Sequence, residues 1–106
     1  MTIYHAHVFF GADEAAAANA MREALVFTLP SIEVGPFLPR AAGPLPCPMF
    51  QITLEQQFVE ALTKFLEENR ENRSVLLHPL TNNELADHTI NARWFGEPLP
   101  LNLDQL

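Results

Sequence analysis

Imidazole is the side chain best suited to bind a transition metal or move a proton near neutral pH. This sequence carries four of them: His5, His7, His78 and His88. His5 and His7 stand two apart in Ile3-Tyr4-His5-Ala6-His7-Val8-Phe9-Phe10. On a strand, that spacing puts both rings on one face, roughly 6–7 Å apart. The geometry suits iron, zinc or copper, but H-x-H is a weak motif, and two alternating histidines also suit hydrogen bonding or solvent. His88, in Ala86-Asp87-His88, reads either as a surface histidine beside an aspartate or as a general acid/base. Cys47 lies between Pro46 and Pro48 with no basic neighbour, which describes an inert loop thiol better than a nucleophile. The sequence has no glycine-rich phosphate loop, no G-x-S-x-G elbow and no H-E-x-x-H.

Composition narrows the setting. The chain has 106 residues, of which 48% are hydrophobic and 18% charged, as expected for one globular domain spanning 1–106. Thirteen acids against six Lys/Arg leave a net charge of −7. There is no basic stripe, which argues against a nucleic-acid partner and against an anionic membrane surface. A single cysteine excludes an internal disulfide. The first residues lack a cationic segment followed by a long apolar one, and no stretch approaches the ~20 apolar residues of a membrane helix. A reducing, cytoplasmic location is the expectation.

The elements that must position the histidines follow from periodicity. Residues 3–10 predict a strand apolar on both faces. Residues 13–29 predict a helix, with Asp13 as N-cap, a buried stripe of Ala17, Met21, Ala24, Leu25 and Leu29, and Pro30 as its stop. Residues 31–38 alternate weakly, and Gly35-Pro36 makes them an edge strand. Residues 39–48 hold four prolines and one glycine and predict an extended loop. Residues 49–54 alternate cleanly, and residues 55–70 carry Phe58, Leu62, Phe65 and Leu66 at helical spacing. Residues 74–78 predict a short strand ended by Pro79. Residues 83–94 predict a short helix capped by Thr81 or Asn82. Residues 96–106 predict an extended tail packing through Leu99, Leu101 and Leu103.

This order is the α+β, ferredoxin-like split βαβ pattern (βαββαβ), with an antiparallel sheet of order 4-1-3-2 and two helices on one face. If Tyr4, Ala6, Val8 and Phe10 pack under the helices, His5 and His7 take the open face. The fourth strand runs antiparallel beside the first, which brings His78 next to His5. Gln51, on the third strand, points the same way. Ile3, Phe9, Met49 and Leu76 also line that face, and an apolar sheet surface predicts a homodimer, as in a dimeric α+β barrel, unless the tail covers it. No acid stands on the strands beside the histidines, though Glu33 is on the edge strand. A three-histidine site is therefore favoured over a two-histidine, one-carboxylate triad.

Several spaced motifs resemble the DOPA 4,5-dioxygenase family. They are Tyr4-His5-Ala6-His7-Val8-Phe9-Phe10, Gly43-Pro44-Leu45-Pro46, Met49-Phe50-Gln51, Leu77-His78-Pro79-Leu80-Thr81, Leu85-Ala86-Asp87-His88 and the tail Arg93-Trp94-Phe95-Gly96-Glu97-Pro98-Leu99-Pro100-Leu101. The resemblance covers nearly the whole chain. It implies a ferredoxin-like fold, often dimeric, and an extradiol dioxygenase that uses non-haem Fe(II) and O2 to open a catechol such as DOPA. Zinc is a further candidate in purified protein. His5, His7, His78 and His88 match family histidines. Inferred geometry assigns the first three to the metal and His88 to acid/base work, with Gln51 and Arg93 as substrate-binding candidates. The sequence departs from the family at Leu45, where the pattern has histidine, and at Asn82-Asn83, where Gly-Asp is usual. A leucine can neither bind metal nor transfer a proton, so the alternative expectation is a member that binds an aromatic ligand without turnover.

Overall fold

A computed structural model describes residues 2–106. The elements run β1 (Ile3–Phe9), α1 (Ala15–Thr28), β2 (Glu33–Val34), β3 (Met49–Glu55), a 3-10 turn (Gln56–Phe58) leading into α2 (Val59–Asn69), β4 (Val75–Pro79), α3 (Glu84–Asp87), β5 (Arg93–Phe95) and a last 3-10 turn (Leu103–Gln105). The sheet order is β2-β3-β1-β4-β5, with every pairing antiparallel. Its first four strands reproduce the expected 4-1-3-2 arrangement read from the other edge. β5 is an addition outside β4.

The apolar alternation of β1 explains its central place. Ala6 and Val8 point under the helices and join Phe50, Ile52, Leu54, Val75 and Leu77 in the main core. α1 contributes Ala18, Met21 and Leu25, and α2 contributes Leu62, Phe65 and Leu66. The α1 stripe is rotated from the expected one: Ala17 and Ala24 are exposed and Ala18 is buried. An alanine run has no polar side to fix its facing, so the larger Met21 and Leu25 decide it. Asp13 does not cap α1. Glu14 takes the N-cap position, and its carboxylate accepts from the Gly11 backbone N–H at 2.7 Å.

The expected helix over 83–94 forms only at Glu84–Asp87. Its cap is Asn83, not Thr81 or Asn82, and the Asn83 side chain accepts from Ala86 N–H at 3.0 Å. Thr89, Ile90 and Asn91 are poor helix formers. The chain turns there, and Phe95 then gains more by inserting into the core from β5. Gly96 makes the exit from β5 with φ +76°, where a Cβ would lie 2.7 Å from the Arg70 guanidinium.

The second sheet face is not bare. Phe9, Met49 and Leu76 are buried beneath Leu45 of the proline-rich loop, with Trp94, Leu99 and Leu101 packed around them. The tail therefore covers the surface that suggested a homodimer, and that argument for a partner falls away. Leu103 does not join this layer and stays exposed. Cys47 packs against the same cluster. Among the described residues, no helix is long and apolar enough to cross a membrane.

Candidate metal centre

The same pleat that buries Ala6 and Val8 sends His5 and His7 to the second face. Register then brings in the third ring, because His5 of β1 pairs directly with His78 of β4. His7 pairs with Gln51 of β3. The ring centroids of His5 and His7 are 5.9 Å apart, those of His5 and His78 5.7 Å, and those of His7 and His78 5.2 Å. One ring nitrogen from each of the three lies within 4.8 Å of the others. The Nε2 atoms of His7 and His78 stand 3.1 Å apart.

Hydrogen bonds fix the orientation of these rings. His78 Nδ1–H donates to the Pro79 carbonyl at 2.9 Å, which leaves its Nε2 lone pair facing the cluster. The Gln51 amide donates to His5 Nε2 at 3.3 Å. His7 Nδ1 is buried with no partner. Such an orphan costs about 1–3 kcal/mol and is usually retained for a reason other than stability. The donor set fits a divalent transition metal: three neutral-capable imidazoles, two of them buried and one partly so, held on a rigid sheet.

Burial is the main reason the three rings resist protonation. His7, only 3% exposed, has its pKa lowered well below the usual 6.5 by burial, then by His78, His5 and His88. His78, 1% exposed, is lowered by burial, against the opposing Pro79 hydrogen bond. His5 is lowered by burial and by His88, with Glu33 pulling the other way. All three are therefore uncharged at neutral pH, the form a metal requires. Below pH 6.5 the unfolded chain takes up protons that the folded chain refuses, so acid favours unfolding. The stability these rings confer is present above pH 6.5 and is lost as pH falls toward their folded values. The melting temperature of metal-free protein will fall between pH 7.5 and 5.5. That slope will flatten in the His7→Gln/His78→Gln double variant, and an equally steep slope in it would contradict the assignment.

The rings form the floor of a cavity of about 280 Å³. This is near the lower limit for small-molecule sites and suits a single aromatic ring. Pro44, Leu45 and Leu80 give it apolar walls, and Gln105 and Leu106 close one side. His88 stands over His78 with ring centroids 4.3 Å apart. Its Nδ1–H donates to the Glu84 carbonyl at 2.8 Å, so Nε2 is the free nitrogen. Asp87, 2% exposed, accepts from Thr81 N–H at 2.8 Å and Thr81 Oγ1–H at 2.7 Å. Burial pushes its carboxyl up, but those two bonds, with His78 and His88 nearby, hold it below the usual range. Asp87 thus fastens the loop after β4 to α3 and sets His88 above the cluster.

Of the expected site residues, His5, His7, His78, His88 and Gln51 come together. Arg93 does not. It pairs with Leu77 on β5, so it lies on the helix-covered face, with its guanidinium 4.6 Å from the Phe95 ring centroid. Sequence could not show this, because the helix expected there hid the strand whose alternation decides the facing. Asp87, Thr81 and Glu84 were not singled out for the cavity, and the Thr81–Asp87 pair, six residues apart, matches no capping spacing that would have marked it. Nothing in the sequence points Gln105 and Leu106 toward the histidines.

A histidine cluster on the covered face of a small antiparallel sheet defines a candidate metal-binding α+β protein. Comparison with known proteins places it further. The sequence model of the Dopa 4,5-dioxygenase family matches residues 4–105, and the chain belongs to that family. It is 32% identical to the DOPA 4,5-dioxygenase of Amanita muscaria over 97% of this chain and 49% of that one. It is 34% identical to an uncharacterized 21.2 kDa protein of Botryotinia fuckeliana over 86% of this chain and 54% of the other. The chain thus spans about half the length of these curated relatives. The crystal structure of a Nostoc punctiforme protein named a "putative dioxygenase" superposes with a TM-score of 0.91 at 30% identity, covering 99% of this chain and 90% of that one.

Proposed function

We propose that this domain is an extradiol dioxygenase that binds non-haem Fe(II) at His5, His7 and His78. It would open a catechol ring beside its two hydroxyls with both atoms of O2. One catechol and one O2 give one ring-opened semialdehyde, and no further reductant is required. The observation that carries this reading is the three-imidazole cluster at the floor of a one-ring cavity, with a fourth histidine above it. Bound there, ferrous iron would supply the Lewis acidity and electron transfer that O2 chemistry needs.

The protein's own groups have separate tasks in this reading. His88 holds its Nδ1 proton on the Glu84 carbonyl, which leaves Nε2 to take a catechol proton and return it later. Gln51 orients His5 and offers an amide to a ring oxygen. Pro44, Leu45 and Leu80 limit the access of water. The test is anaerobic purification with ferrous iron, followed by metal analysis and oxygen uptake with DOPA and simpler catechols. A yellow product with one O2 consumed per catechol is expected. Iron-loaded protein inert toward every catechol would refute the reading.

One observation favours binding without turnover. Leu45, buried against Phe9, Met49 and Leu76, occupies a cavity wall where the family resemblance leads one to expect histidine. If that position is needed for chemistry, Leu45→His will raise turnover of a catechol by about a hundredfold or more, the lower end of general acid–base effects. No gain would show that His88 suffices.

A further inference from the structure

We infer that the cavity selects catechols whose ring substituent is cationic or of zero net charge, the zwitterion of an amino acid included, and disfavours those whose substituent is a net anion; this deepens the catechol reading above and rests on it. The ground is the location of the Lys and Arg side chains. The sequence holds six Lys/Arg. Arg22 bonds the Gly35 carbonyl and Asn19. Arg70 and Arg73 are engaged with the Arg73 carbonyl and with Glu14, respectively. Lys64 is on α2, in a groove between α1 and α2, and Arg93 lies on the helix-covered face. Arg40 is exposed on the proline-rich loop. None of the six lines the cavity.

The uncommitted charge at the cavity is negative. Glu84 lines it, is exposed, and makes no ion pair among the described residues. Asp87 is already occupied by Thr81. The charge of a divalent metal on the histidines would be matched by the two catechol oxygens. A carboxylate on the far side of the ring would therefore shed water without gaining a cation and would face Glu84. An ammonium would find Glu84, and an alkyl group would find Leu45, Leu80 and Leu106. The net charge of −7 acts in the same direction at longer range.

The test uses the full chain loaded with redox-inert Zn(II), under nitrogen, with binding measured by calorimetry. The probes are 4-(2-aminoethyl)catechol, 4-ethylcatechol and 3-(3,4-dihydroxyphenyl)propionate. The amine should bind about tenfold or more tighter than the propionate, with 4-ethylcatechol between them. Glu84→Gln should bring the amine and 4-ethylcatechol to within about twofold of each other. Gln105→Lys, an exposed change that places a cation at the cavity wall, should swing the ratio toward the propionate. Propionate binding as tightly as the amine in the unmodified protein would overturn this inference alone. Failure of all three catechols to bind would remove the catechol reading and this inference with it.

Discussion

His78→Gln protein will purify folded but with metal occupancy below about a tenth per chain, and its affinity will fall by about a hundredfold or more. No other position in the chain meets as many requirements at once. The ring is 1% exposed, so water cannot take its place cheaply. Its tautomer is set by the Pro79 carbonyl, which removes the uncertainty over which nitrogen is offered. That nitrogen stands 3.1 Å from His7 Nε2, and two lone pairs so placed are best reconciled by a shared cation or a single shared proton. Glutamine roughly preserves volume and polarity, so collapse of the fold does not obscure the result. Metal analysis and competition with a coloured chelator give the measurement. Unchanged affinity in His78→Gln would show that the cluster is not the metal centre. His5→Gln should lose less, because His5 is only partly buried and its Nε2 is shared with Gln51.

The second large effect concerns His88. His88→Gln should retain metal yet lose about 10²–10⁴-fold in turnover, the usual worth of a positioned acid/base. The distinction from His78 is geometric. His88 caps the C-terminal end of α3 and is not on the sheet, and it lies outside the cluster of ring nitrogens within 4.8 Å. Its Nδ1–H is fixed on the Glu84 carbonyl, so the free Nε2 has a defined place above His78. The pH profile supplies the readout that a packing role would not move. In wild type, kcat/KM should follow the ionisation of an essential base, and that limb should vanish in His88→Gln. Parallel loss of metal and activity would instead make His88 a ligand. A full-rate variant would leave the proton to solvent.

Much of this site is legible in the sequence, and the reason is local. Alternation in a strand is fixed by the pleat, so His5 and His7 had to share a face once Ala6 and Val8 were assigned to the core. The βαββαβ order then made β1 and β4 antiparallel neighbours, which puts His78 across from His5. Leu76 and His78 also alternate with the buried Val75 and Leu77. These steps needed only periodicity and a known topology.

What the sequence left open needed information that no short window contains. The facing of Arg93 could not be read because residues 83–94 carry enough helical spacing to conceal the three-residue β5, and in a strand a shift of one residue inverts which side a side chain faces. The homodimer was inferred from an apolar face, and the sequence could not say whether the chain's own tail or a second copy covers it. In the sequence Asp87 reads only as the neighbour of His88. Its buried carboxylate is met by two donors of Thr81, six residues away.

The sequence by itself therefore determined the identity of the metal-capable residues, the face they occupy and the family of the chain. The first two follow from residue type and spacing and the third from the resemblance of several ordered motifs, all of which survive in a string of letters. Tertiary structure alone decided that the site has walls: Leu45 from one loop, Gln105 and Leu106 from the last turn, and His88 held over the rings through Asp87. It also decided that none of the six Lys/Arg side chains lines the cavity. Enclosure and charge complementarity are sums over groups distant in sequence, and only the folded chain brings those groups within a few ångströms of one another.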